Sequence, residues 1–341
     1  MMPTAFNPRE IMAAAPDAIT LAAGGKLDRP HPLAGELSLR KIAYACGLAR
    51  QRQFDYERDV AVMGRGLVTS DFSKILADGV IGLAIATYKA QAEHSVFSVP
   101  VDVRDFKPAK IPALDADLSL EPLGDGAEIM QGGAFLVASA QRQVLLTSFA
   151  RIVEISRNAI INDELGGFSQ LISSIGASAA RIEARLVVDA LESNSVLDDG
   201  AVTFRADYNN VVESALNDIA LGQAMALLRI QNTAAGQRAD LRARHLVTAP
   251  DIEYSARKLI ADAAMGVTVS TMANLPAGRW FLLADPVACP VVANLRLGGA
   301  KTPLLVEQWV APFPTDNAGV LVRADLGACI MRRTGIVRGG A

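Results

Sequence analysis

The stretch from Phe149 to Asn194 constrains the fold of this chain more than any other, because it demands one long helix. From Phe168 the apolar residues fall at Phe168, Ile172, Ile175, Ala179, Ile182, Leu186 and Ala190, steps of three and four that share one helical face. Gln170, Ser173, Ser174, Ser178, Arg181, Arg185 and Asp189 take the other. Arg185 and Asp189 stand one turn apart, but an exposed pair contributes only a few tenths of a kcal/mol, so the apolar face must hold the helix. Gly166 and Gly167 would each cost roughly 1 kcal/mol in a helix interior. That predicts a spine over 167–193, with Asn162 and Asp163 closing a short turn before it. About 26 residues at ~1.5 Å each give about 39 Å, enough to cross a whole domain. The residues FARIVEIS ahead of it predict one buried strand.

With 341 residues, 51% hydrophobic and 20% charged, the chain can bury a substantial core in about two compact units and is not a disordered type. A net charge of −3 and a pI of 5.7 exclude a basic nucleic-acid binder. Cys46, Cys289 and Cys329 lie far apart without CxxC spacing, which predicts buried free thiols in a reducing compartment. No apolar run approaches the ~20 residues of a membrane span, and the segment around Arg9, Glu10 and Asp17 is no secretory signal. The expectation is a soluble protein, intracellular at synthesis, with no membrane partner.

Residues 1–65 differ in texture, with five prolines, a Gly24-Gly25 break and helical patterns over roughly Pro8 to Ala15 and Leu37 to Gln53. They predict a small helical appendage on a flexible tether. From Thr69, TSDFSKILADGVIGLAIATYKAQ predicts a helix capped by Ser70 or Asp71, with Phe72, Ile75, Leu76, Val80, Leu83 and Tyr88 on its apolar face. The alternating runs from Val96 to Ser156, broken by Pro108, Pro112, Pro122 and glycine pairs, predict a long β-hairpin with its tip between about Glu121 and Gly133. An isolated hairpin is marginal in water, so this one calls for burial against another subunit. Beyond the spine, SVLDDGAVTFRADYNNV is a turn-rich link. ALNDIALGQAMALLRIQ predicts a helix with Leu216, Ile219, Ala220, Ala224, Leu227 and Leu228 on one face. HLVTA and WFLLADP predict strands, DIEYSARKLIADA a helix, and LLVEQWVAPF, GVLVRADLGACIM and TGIVRGGA antiparallel strands. The class is α+β, with helices and strands mixed.

Chemistry is sparse. His31, His94 and His245 have no Cys, Asp or Glu at metal-ligand spacing, and there is no nucleophile elbow, Walker loop or dinucleotide fingerprint. Asp163-Glu164 and Asp198-Asp199 are paired carboxylates, but at element ends, where solvated caps explain them. Trp280 and Trp309 read as core rather than base- or sugar-stacking residues. Arg104, Lys107 and Lys110 form a mild basic cluster that reads as solvated surface. No catalytic, cofactor-binding or metal-ligating residue is expected, no cofactor is called for, and the chain does not read as an enzyme.

In order, TSDFSKILAD, the hairpin, ISRNAIINDELGGF leading into a long helix with ASAARIEA, DDGAVTFRADYNN, WFLLADP and LRLGG resemble a tailed-phage major capsid protein. The Mu-like major head subunit and the capsid half of prohead protease–capsid fusions are the nearest types. The likeness spans about Thr69 to Gly339; residues 1–65 match poorly. It implies the Hong Kong 97-like major capsid fold: an N-arm at 66–110, an extended loop at 111–148, a peripheral domain at 149–214 and 301–341 carrying the spine, and an axial domain at 215–300, all within a capsid domain of 66–341. The prefix 1–65 would be a scaffolding segment removed by a prohead protease, or a fusion remnant. The implied partners are further copies in pentamers and hexamers, with portal, scaffold, prohead protease and decoration proteins as further candidates. Packaged double-stranded DNA would be enclosed without sequence-specific binding, in a virion capsid assembled in the bacterial host cytoplasm. Some members weld subunits through a loop lysine; Ile111 to Ala150 contains none, so no such isopeptide bond is expected from it. An encapsulin-like compartment shares the implied fold and stays open as an alternative, as does an enzyme of unknown type.

Overall fold

The computed structural model describes residues 7–22, 25, 27–49, 70–107, 113–116, 135–138, 144–156, 158, 162, 165–197, 199–233, 236–300, 302–310 and 317–340. The chain divides into two units. One comprises Met1–Ala92, Ser148–Arg181 and Lys301–Asp325, the other Glu93–Thr147, Ile182–Ala300 and Leu326–Ala341.

In the first unit, helices α1 (Pro8–Ala22) and α2 (Leu39–Ala49) pack on α3 (Ser70–Gln91). α1 runs through Pro16 where the sequence suggested an end at Ala15, because Ala18 and Ile19 beyond the proline are buried. Thr20 Oγ1 lies 2.8 Å from both Pro16 O and Gly79 O, which share its one hydroxyl proton. A Cβ at Gly79 would press into Ile19, so glycine sets how closely α1 approaches α3. The prefix helices are therefore packed on α3, while the expected tether at 50–69 lies outside the described residues. β4 (Thr147–Ser156), β10 (Leu304–Val310) and β11 (Asn317–Leu326) form a sheet in the order β10-β11-β4. β10 and β11 are antiparallel, as expected, with Leu304 opposite Ala324. β4 is not the buried strand foreseen: only Val153 and Ile155 are buried along it.

The spine is α4, Leu165–Glu192. It starts before the two glycines because these fall in the first turn, where the backbone N–H groups have no intrahelical acceptor to lose and the interior penalty does not apply. Its buried line is also turned from the expected stripe. Ile172, Gly176, Ala180, Glu183, Val187 and Leu191 are buried, while Ile175, Ile182 and Leu186 are half-buried. Close approach helps set this: a Cβ at Gly176 would collide with Ala84 O on α3, so glycine faces inward at that point.

In the second unit, a five-stranded sheet runs β5 (Val211–Val212), β13 (Ile336–Gly339), β8 (Trp280–Ala284), β6 (Ala243–Thr248), β7 (Thr268–Thr271). β8 is buried along its whole length, which is why WFLLA is continuously apolar. Its alternate residues serve different cores. Phe281 and Leu283 join Val187, Leu191 and Val292; Trp280 and Leu282 join α5 (Asp218–Ile230) and α6 (Glu253–Asp262) through Leu221, Leu228 and Ile260. A second sheet orders β1 (Ser98–Val103), β9 (Val292–Leu297) and β12 (Ala328–Ile330), with β1 parallel to β9 and β12 antiparallel to it.

Among the described residues the hairpin is represented by β2 (Ala113–Ala116) and β3 (Phe135–Ala138), paired Ala113 to Ala138. β1 and β4 leave it for sheets that offer them longer ladders. The tip between Glu121 and Gly133 lies outside the described residues.

Candidate assembly surfaces and a buried charge cluster

Glu183 on α4 is fully buried. Arg296 on β9 donates from Nη1 to its Oε1 at 2.5 Å and to Leu295 O at 2.9 Å, while His94 Nε2 stands 3.2 Å from Glu183 Oε2. Burial pushes the Glu183 carboxyl up, yet His94 and Arg296 outweigh it and hold the group below the usual carboxylate range. The cluster continues as polar structure. Ser98 Oγ donates to His94 O at 2.7 Å and accepts from Asn294 Nδ2 at 2.6 Å. One spine helix, two strands and the turn after α3 are joined by this network. It is almost wholly buried, with Arg296 and Ser98 each 6% exposed, and it ties these elements to each other.

The other candidate groups are dispersed. Asp199 closes a turn and pairs with an arginine: its Oδ1 accepts from Ala201 N at 3.0 Å and its Oδ2 from Arg333 at 2.5 Å. Arg333 also stacks on Tyr208 at 4.3 Å. Asp163, Glu164, Asp198 and Lys110 lie outside the described residues; Arg104 and Lys107 are exposed. Trp280 is core, and Trp309 is half-buried on β10. Cys46, Cys289 and Cys329 are buried free thiols, and burial pushes Cys329 up to about 12. His245, also buried, is held below its ordinary value by burial and by Arg244, against Asp285. Among the described residues no group of His, Cys, Asp and Glu is placed to hold a metal ion, and no helix is long and apolar enough to cross a membrane. In the first unit a groove of about 510 Å³ between α3 and β10 is lined by Lys74, Ala77, Asp78, Val306, Glu307 and Gln308 and opens to solvent.

The surface is more telling. In the second unit Ile219, Tyr254 and Val287 are 82%, 81% and 92% exposed. Sequence periodicity placed Ile219 on the inner face of α5, but the buried line is Ala220, Leu221, Ala224 and Leu228. In the first unit β4 is a ten-residue edge strand with Ile152 exposed, and an edge that long is a template for pairing unless covered.

Exposed apolar side chains and a long edge strand are the features of the described surface that stand out. The chain belongs to the phage capsid protein family, whose model matches residues 139–339, and it is a structural capsid protein. No curated protein matches it by sequence. Among solved structures it is similar to a virus-like particle from Pyrococcus furiosus, with 12% identity, a TM-score of 0.46 and coverage of 75% of this chain and 96% of that one. It is similar to the capsid of a native GTA particle at 14%, 0.48, 73% and 89%, and to the holo-SrpI encapsulin complex of Synechococcus elongatus at 12%, 0.44, 71% and 84%. The mixed helix-and-sheet architecture is of the α+β class expected.

Proposed function

We propose that copies of this chain assemble through pentamers and hexamers into a closed icosahedral shell around packaged double-stranded DNA, as the major head protein of a tailed phage or prophage. The observation that carries this reading is the family match, which runs through α4, the five-stranded sheet, β9 and β12, and the β10-β11 pair. The chain acts by geometry and not as an enzyme. In this reading 66–110 is the N-arm, 111–148 the extended loop, 149–214 and 301–341 the peripheral domain, and 215–300 the axial domain. The short β2-β3 pair supports the loop assignment, since two strands are marginal alone and gain burial only from a neighbour. A net charge of −3 suits a wall that must not bind DNA, because phosphate contacts need Lys or Arg. Portal, prohead protease and decoration proteins would join the same virion particle.

The test is negative-stain microscopy of the full chain beside a chain starting at Thr69. Closed shells or capsomer rings are expected from the full chain. Because α1 and α2 cover α3, the shortened chain is expected to assemble differently or to aggregate, which gives residues 1–65 a restraining role. Monomers from both, across salt and concentration, would refute self-assembly.

A further inference from the structure

In the first unit β10 is an open edge. Among the described residues it pairs with β11 alone. Asp325 N donates to Pro303 O, and hydrogen-bonded pairs alternate along an antiparallel ladder. With Leu304 opposite Ala324, the N–H and C=O groups of Leu305, Glu307 and Trp309 therefore turn to β11. Those of Val306 and Gln308 point away from it, and no described residue takes them. Edges are commonly blunted by proline, lysine or a bulge. Leu304–Val310 has none of these, and its register runs unbroken over all seven residues.

This edge opens onto a groove. Val306, Glu307 and Gln308 line about 510 Å³ of space, and Lys74, Ala77 and Asp78 of α3 form the far wall. Successive strand residues point to opposite faces, so three in a row meet one groove only along the strand's edge. The groove is a slot beside unpaired backbone, and its size selects the occupant. A strand residue fills roughly 160 Å³, from a rise of ~3.4 Å, a strand spacing of ~4.8 Å and a sheet spacing of ~10 Å. The slot holds about three such residues, the length of β10 that lines it. Two turns of a helix about 10 Å across would take on the order of 850 Å³ and do not fit. Only Ala77 and Val306 are apolar here, so the slot offers main-chain hydrogen bonds and not the apolar bed that a helix needs.

We propose that this slot receives an extended segment of a second copy, which adds to β10 as a fourth strand of the sheet. The proposal rests on the capsid reading and deepens it by naming one contact. That contact is heterologous, slot on one copy and segment on the next, the kind that closes rings. A second copy is the occupant because the chain is a structural capsid protein, whose copies meet at close range, and because its own described residues leave the edge bare. A ladder of about three residues is weak alone. It forms where other contacts hold the copies together and raise the local concentration of the segment.

The experiment uses the full chain carrying Lys74→Cys, whose native thiols are buried. Particles are labelled after assembly with a short maleimide–diazirine reagent and illuminated. Covalent dimers are expected on a denaturing gel, with the labelled peptide joined to a segment of the other copy outside α3 and β10; free subunits are expected to stay monomeric. A second variant, Gln308→Pro, removes one outward N–H and puts the proline ring in the slot, while the ladder to β11 keeps its bonds. It is expected to melt with the unmodified subunit and to lower particle yield at least tenfold. If it loses the native melt, the crosslink decides alone. Labelled particles that give no dimers, dimers that join two slots to each other, or full particle yield from the proline variant would overturn the slot and leave the capsid reading intact. Absence of particles from the unmodified chain would instead overturn the capsid reading, and the slot contact with it.

Discussion

Replacing Glu183 by glutamine removes one charge and almost no volume from the buried cluster, and the outcome can be worked from its contacts. The carboxylate makes two charged contacts, to Arg296 at 2.5 Å and His94 at 3.2 Å. Hydrogen bonds to charged groups contribute about 1.5–3 kcal/mol each, and stripping one partner from a buried ion pair costs about 3–5 kcal/mol. Arg296 keeps its bond to Leu295 O, so the lower part of that range, about 3 kcal/mol, is expected. Urea unfolding followed by Trp280 emission reads it, in a Trp309→Phe background that leaves Trp280, fully buried in the same unit, as sole reporter. Replacing both charges, Glu183→Leu with Arg296→Met, should cost well under the sum of the single losses, since no buried charge is then left alone. Acid supplies a third arm. The folded carboxyl lies below its unfolded value of about 4.3, so its contribution is complete above that pH and is lost as the pH falls through the folded value. Glu183→Gln should flatten this acid loss. A penalty under about 1 kcal/mol, or strictly additive single losses, would refute the view that the pair is a coupled clasp.

Other outcomes follow from single contacts. Ala264 closes α6 with φ +49°, where Met265 N donates to Ile260 O and Ala264 N to Ala261 O, a C-cap that glycine fills without strain. Ala264→Gly is expected to raise stability by about 0.5–1 kcal/mol, seen as a higher urea midpoint; a lower midpoint would contradict the strain. Gly176→Ala should lose about 1–3 kcal/mol, because the new Cβ meets a backbone oxygen that cannot rotate away; an unchanged melt of the first unit, read by Trp309, would show that α3 and α4 can part freely. His245, held low by burial, is neutral when folded, so the unfolded chain takes up its proton first. Its contribution is complete above about pH 6.5 and declines as the pH falls toward the folded value. Midpoints measured from pH 7 to 5 should slope less in His245→Gln, and equal slopes would exclude this histidine.

Local periodicity carried the helices well. The spine, the helix after Thr69 and both helices of the second unit could be placed because each buries one side, and β8 because it is apolar on both. Strand partners were not legible: β1 pairs with β9 and β4 with β11 through register set by tertiary packing, and no nearby residue encodes that choice. Glu183 escaped notice for a similar reason. One acid on a helix that also carries Arg181, Arg185, Asp189 and Glu192 gives no local sign of burial, and its partner Arg296 lies 113 residues further on. The one available signal was its alignment with Gly176, Ala180, Val187 and Leu191. Ile219 shows the converse error, an apolar residue assigned inward by type when the line of small neighbours had already filled the inner face.

The division of the chain bears on when a subunit becomes competent. The backbone passes between the units after Ala92, Thr147, Arg181, Ala300 and Asp325, so neither is a contiguous segment. On the ribosome, residues synthesised first must wait for β10 and β11 before their unit has all its parts, and β8 must wait for β13, which ends at Gly339. A nascent chain thus cannot present finished surfaces to neighbouring nascent chains on one messenger. Each unit therefore closes only after its last strand has been made.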